Sequence, residues 1–195
     1  MAPKVWAARL DRELTAAETE RLGGLLPPER LLRLERTTPD RHREPLCAYG
    51  LLGLALREHC GLESLPSIAR SPLGKPFFPD WPELCFSLSH TEVAVLVVLS
   101  DGPVGADIQA CRPVGEALLR RFGTDTPEAF FRSWVRREAR AKRTGTPVEL
   151  RTESALSPEE GYWPLETFPG FFAGVSAAWG ETPALHLLDL DTLLK

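Results

Sequence analysis

Residues 84–109 read LCFSLSHTEVAVLVVLSDGPVGADIQ, and the period of two in this stretch decides the fold class. Leu84, Phe86 and Leu88 alternate with Cys85, Ser87 and Ser89, as in a strand with one apolar face. Residues 92–100 follow as a buried strand. Asp101-Gly102 is a turn signal. Residues 104–109 make a third strand. It sets Val104, Ala106 and Ile108 on one face and Gly105, Asp107 and Gln109 on the other.

Upstream, the pattern is mostly helical. Residues 4–10 alternate like an opening strand. Thr15 with Glu18 three residues on forms a capping box for a short helix ending near Gly23-Gly24. Pro28 suits the first turn of a helix running to Arg36. A longer helix spans residues 39–60 and closes at Gly61, with Pro45 marking an early kink or a later start. Residues 62–83 are irregular and rich in proline. Downstream, helices cover residues 114–122 and 127–143, and three strands cover residues 161–168, 171–179 and 184–190. Each half runs helices and then antiparallel strands, so the class is α+β.

Composition bounds the function. The 195 residues are 43% hydrophobic and 26% charged, which suits a packed core. A net charge of -4 does not favour nucleic acid. Cys47, Cys60, Cys85 and Cys111 form no CxxC pair, and the first three, in apolar stretches, read as buried free thiols. The chain begins Met-Ala-Pro-Lys-Val-Trp, without the apolar run of a signal peptide, and residues 93–99 are too short to cross a bilayer. The expectation is a cytoplasmic protein without membrane attachment.

Charge is unevenly placed. Residues 132–143 hold six basic residues and one acid, Glu138, and a second basic group is Arg30, Arg33, Arg36, Arg41 and Arg43. Such clusters in an acidic chain suit a polyanion, or simply solvated helix faces. Trp134, Glu138 and Lys142 share one helical stripe. By spacing alone, Glu138 and Lys142 read as an exposed ion pair worth about 0.3–0.5 kcal/mol. Asp107 reads as a solvent-facing aspartate, or as a metal ligand with Gly105 leaving room for a ligand's approach.

Four fragments occur in order: Gly74-Lys75-Pro76, Phe86-Ser87-Leu88-Ser89-His90-Thr91, Gly105-Ala106-Asp107-Ile108-Gln109, and Trp134 to Lys142 reading WVRREARAK. Together they resemble the motifs of the Sfp-like 4'-phosphopantetheinyl transferases, G-K-P, F-N-x-S-H-S, G-[IV]-D-[IVL]-E and W-x-x-K-E-[AS]-x-x-K. The resemblance implies a pseudo-dimer of two similar α+β halves, residues 1–101 and 102–195, each with an antiparallel sheet packed against helices. Coenzyme A would lie in the cleft between them.

By the same resemblance, the reaction is magnesium-dependent transfer of phosphopantetheine from coenzyme A to a serine of an acyl or peptidyl carrier protein, releasing 3',5'-ADP. Asp107 and Glu138 match the magnesium ligands, with Gln109 at a third position. Lys142 matches the pyrophosphate contact, joined by Arg137. Lys75, Ser89 and His90 match residues around the phosphates and adenosine, Arg30 and Arg33 those near the 3'-phosphate, and Arg43 a further phosphate contact. The general base is Glu138 or a metal-bound water. A pseudo-dimer has less need of a partner subunit, so a monomer is expected.

Three departures stand out. Gln109 replaces a carboxylate, Arg137 replaces a lysine, and Ser87 replaces an asparagine. Residues 109–134 are also short, trimming a region of carrier contact. The alternatives are a catalytically weakened coenzyme A-binding module and a scaffold whose basic helix binds acidic partners.

Overall fold

The computed structural model describes residues 2–148, 150, 155–180 and 182–195. Strand β1 (Lys4–Arg9) leads to α1 (Ala16–Gly23). The capping box at its start is formed: Glu18 N donates to Thr15 Oγ1 (3.3 Å) and Thr15 N to Glu18 Oε2 (2.7 Å). Helix α2 is Pro28–Leu34, and a single 3-10 turn, Pro39–Arg41, precedes α3 (Arg43–Cys60). Pro45 produces a later start: as the third residue of α3 it occupies a position whose N–H would have no intrahelical partner. Gly61, at φ 67°, ends the helix in the left-handed region.

Residues 62–83 carry only a two-stranded ribbon, β2 (Ala69–Arg70) with β3 (Pro76–Phe77). Then come β4 (Cys85–Thr91), β5 (Ala94–Ser100) and β6 (Gly105–Ala110). Helices α4 (Glu116–Phe122) and α5 (Pro127–Thr144) follow, with β7 (Glu160–Leu165), β8 (Phe171–Ala178), β9 (Ala184–Asp189) and the short α6 (Leu190–Leu193). The class is α+β, as the patterning indicates.

Two sheets result, ordered β4-β5-β1-β9 and β6-β8-β7. All pairs are antiparallel except β1 with β9, which run parallel from Lys4↔Ala184 to Arg9↔Asp189. The expectation of antiparallel pairing throughout fails there. β9 returns to the free edge of β1, and a pairing so distant leaves no local mark on the sequence. It stacks His186 on Trp6 at 5.3 Å and lays Leu188 against the first core.

That first core lies between α3 and the four-stranded sheet, around Trp6, Leu51, Leu52, Phe86, Val95 and Val97. A second core joins the two sheets through Val5, Leu96, Val98, Ala106, Ile108 and Val175. Helix α5 covers the other face of the three-stranded sheet with Phe131, Val135 and Ala139, each large apolar side chain contributing about 1.5–3 kcal/mol. The layers are thus helix, sheet, sheet, helix. Among the described residues no helix is long and apolar enough to cross a membrane. All four cysteines are free, but only Cys47 is buried; burial pushes its thiol pKa up to about 12. Cys60 is exposed because it ends α3, and Cys85 and Cys111 are half-buried.

Candidate active site

The site grows from the seam between the sheets. β4 and β6 are both edge strands and share no backbone pairing. Two serines close the gap: Ser87 Oγ accepts from Ala106 N (3.1 Å) and Ser89 Oγ from Ile108 N (3.2 Å). Buried edge N–H groups need such partners.

The alternation of β6 turns Val104, Ala106 and Ile108 into the second core and Gly105, Asp107 and Gln109 toward α5. A Cβ on Gly105 would overlap Ala139 O and Arg143 N of the helix backbone. The space the glycine provides is therefore taken by α5, not left for a ligand. This close approach sets Glu138 and Lys142 over Asp107.

Asp107 is 1% exposed. Its Oδ1 accepts from Ser89 Oγ (2.6 Å) and Lys142 Nζ (2.7 Å), and its Oδ2 from Gln109 Nε2 (3.2 Å). The ion pair of Lys142 thus reaches across to the strand, whereas the spacing suggested Glu138 on its own helix. Glu138 is half-buried. Burial raises its carboxyl pKa above the usual range; Asp107 adds to the rise and Lys142 opposes it. Both carboxylates and Lys142 line one cavity of about 770 Å³. Its apolar wall is Phe122, Phe130, Phe131 and Trp134, which the Trp134–Glu138 stripe of α5 only partly announces.

A second cavity of about 380 Å³ meets the first at Leu88, His90, Glu138 and Lys142. Arg30 and Lys75 line it, with Arg70 and Tyr49, which the sequence did not single out. His90 stands at the junction. The crowded walls strip water from its ring, and Arg30 and Lys142 repel a further proton, so its pKa is lowered. The residue as a whole remains exposed at the mouth of the junction, and Asp107 opposes part of the shift.

Other candidates sit elsewhere. Lys75 borders the second cavity, but its ammonium donates to Val104 O (3.1 Å) and Arg143 O (2.6 Å), tying the residue just before β6 to the end of α5. Burial and Arg143 lower its pKa. Arg43 donates to Glu13 (2.6 Å) and to the carbonyls of Arg12 and Glu92, and it lines neither cavity. Arg33 is exposed on α2, also outside both. Arg137 is buried, over the Phe122 ring at 5.0 Å and donating to Ser133 Oγ (3.2 Å).

The basic run of α5 is therefore largely engaged within the molecule. Arg140 grips Glu160 with two bonds (2.8 and 3.0 Å), and Arg143 lies 3.9 Å from the same carboxylate. Burial alone would push the Glu160 pKa up, but the bonds from Arg140 and Ser176 outweigh it and hold it low.

Asp107 and Glu138 offer hard oxygen donors, as does the amide oxygen of Gln109 if that group turns over. This set suits magnesium, which takes one or two carboxylates and fills its remaining positions with water and phosphate oxygens. Burial is the main cause of the raised Glu138 pKa, with a smaller push from Asp107, and Lys142 offsets part of the rise. Among the described residues no three His, Cys, Asp or Glu side chains cluster as a ready metal cage.

No protein-family model matches the chain. It is 25% identical over 166 residues to the 4'-phosphopantetheinyl transferase Sfp of Bacillus subtilis (strain 168), covering 77% of this chain and 74% of the relative. It is 37% identical over 111 residues to the 4'-phosphopantetheinyl transferase AcpT of Escherichia coli (strain K12), covering 49% of this chain and 56% of the relative.

Proposed function

We propose that the chain, similar to the 4'-phosphopantetheinyl transferases Sfp and AcpT, moves phosphopantetheine from coenzyme A to a serine of an acyl or peptidyl carrier protein. One observation carries the reading. A strand-borne Asp107 and a helix-borne Glu138 converge with Lys142 where two cavities meet. The cavity beside Arg30, Arg70 and His90 suits a nucleotide with its phosphates. The aromatic-walled cavity suits the pantetheine arm and the approaching carrier. We keep the two-lobed reading in this proposal, with a boundary near Asp101-Gly102 and coenzyme A between the lobes.

Magnesium held by Asp107 and Glu138 would neutralise charge on the pyrophosphate. The rest falls to the chain's own groups. Glu138 lines the cavity where the carrier serine would arrive, and it, or a water on the metal, would take the hydroxyl proton as that oxygen attacks phosphorus. Lys142 already stands 2.7 Å from Asp107 and can turn to the departing 3',5'-ADP. Positioning and charge neutralisation dominate such a phosphoryl transfer.

The test is to incubate the chain with apo-carrier protein, coenzyme A and magnesium. A carrier heavier by one phosphopantetheine is the expected result. Coenzyme A binding without transfer would favour the binding-module reading, which Gln109 suggests. The scaffold reading is disfavoured by Arg137, Arg140, Lys142 and Arg143, whose charges face other parts of the molecule. Gln109→Glu should tighten magnesium binding, because a third carboxylate would join the site. An unchanged magnesium titration would put Gln109 outside the coordination sphere.

A further inference from the structure

We propose that Ser89 is a positioning residue for Asp107, and that its hydroxyl orients this carboxylate across the seam instead of binding a coenzyme A phosphate. The proposal rests on the transferase reading and adds a role within that site.

Ser89 is 4% exposed and has three polar neighbours within hydrogen-bond distance: Asp107 Oδ1 at 2.6 Å, Lys142 Nζ at 3.1 Å and Ile108 N at 3.2 Å. A hydroxyl has one proton and two lone pairs. The backbone N–H and the ammonium can only donate, so they use both lone pairs. The carboxylate oxygen can only accept, so it takes the single proton. The hydroxyl is saturated, with no donor left for a phosphate oxygen.

The consequence falls on Asp107. Ser89 and Lys142 both bind Oδ1, while Oδ2 carries only the longer bond from Gln109. The carboxylate is thereby turned with one oxygen fixed and the other lightly held. Ile108 N locks the Ser89 hydroxyl in turn, and Ile108 is the next residue after Asp107. The strand carrying the carboxylate thus holds the group that orients it, which is the kind of support a precise site requires. Ser87 supplies an internal control. It makes the same seam bond, to Ala106 N, but among the described residues no carboxylate is hydrogen-bonded to it.

Ser89→Ala, Ser87→Ala and the parent chain should be compared with coenzyme A and with dephospho-coenzyme A, which lacks the 3'-phosphate. Ser89→Ala is expected to lower kcat by about 10–100-fold, as loss of a supporting partner does. The KM for coenzyme A and the preference over dephospho-coenzyme A should stay at parent values. Ser87→Ala should lose comparable thermal stability and much less kcat. A raised KM with intact kcat, or a lost preference for the 3'-phosphate, would show a phosphate contact and overturn the proposal. Equal kcat losses in the two serine variants would also overturn it.

A double-mutant cycle of Ser89→Ala with Asp107→Asn, read by denaturant unfolding, needs no catalysis. The two changes should be coupled, and additivity would refute the contact. Ser89→Thr keeps a hydroxyl and should recover part of kcat if the alanine variant folds poorly; no recovery in a folded threonine variant would count against the role. If the parent chain loads no carrier, the transferase reading fails, while the unfolding cycle still decides whether Ser89 holds Asp107.

Discussion

Glu138→Gln should lose about 10²–10⁴-fold in carrier loading, the range for removal of a general base, while its melting temperature stays at or above that of the parent chain. The two halves of this result come from one cause. Burial raises the folded-state pKa of Glu138, so the folded state binds more protons than the unfolded chain in the window between the two pKa values. Stability from this group is therefore present at low pH and declines as pH rises through that window. At neutral pH the ionised carboxylate is a net cost to the fold, and a neutral amide relieves it.

Asp107→Ala should also abolish transfer, but with the opposite effect on stability. It leaves Lys142 and Ser89 without their charged acceptor, at about 1.5–3 kcal/mol for a hydrogen bond of that kind. Melting curves beside the carrier-loading assay separate the two variants. Parent-level transfer in either one would remove that carboxylate from the reaction.

Gly105→Ala should be nearly as damaging to activity, by a purely steric route. The added methyl would meet backbone atoms of α5, which cannot rotate away as a side chain tip can. Overpacking of a well-filled core costs about 1–3 kcal/mol and sometimes more, and contact with backbone points to the upper end. At about 2–4 °C per kcal/mol for a chain of this size, the melting temperature should fall by several degrees or more. Transfer should fall further than stability, because relief of the clash moves Glu138 and Lys142 away from Asp107, and a displacement of about 1 Å can cost 10²-fold. A variant with parent-like melting and transfer would mean that α5 yields to the methyl without moving its charged stripe.

Much of this was written locally. The period of two across residues 84–109 marked three strands and assigned the faces of β6 correctly. Thr15 and Glu18 announced the start of α1, and Gly61 the end of α3. What escaped depends on partners distant in sequence. Glu138 and Lys142 are ideally spaced for a pair within one helix, yet Lys142 turns to Asp107, 35 residues away. The arginines of α5 read as a surface patch, but the packing of β7 brings Glu160 beneath Arg140 and Arg143. Gly105 looked like space for a ligand because the sequence does not show what lies above it. The seam serines were visible as the polar alternates of β4 and as members of a motif, but not as a bridge between sheets. Their partners on β6 come into range only once the two sheets are stacked.

The parallel pairing of β1 with β9 has a consequence for biosynthesis. While the chain emerges from the ribosome, Lys4–Arg9 exits long before its neighbour Ala184–Asp189. The sheet begun by β1 must wait with one margin open until residues 10–183 have been made, a row of unpaired N–H and C=O groups available to other chains. Closure over so great a contour length is a slow step. High expression temperature should therefore favour aggregation of the nascent chain over maturation, even though the finished protein covers that margin.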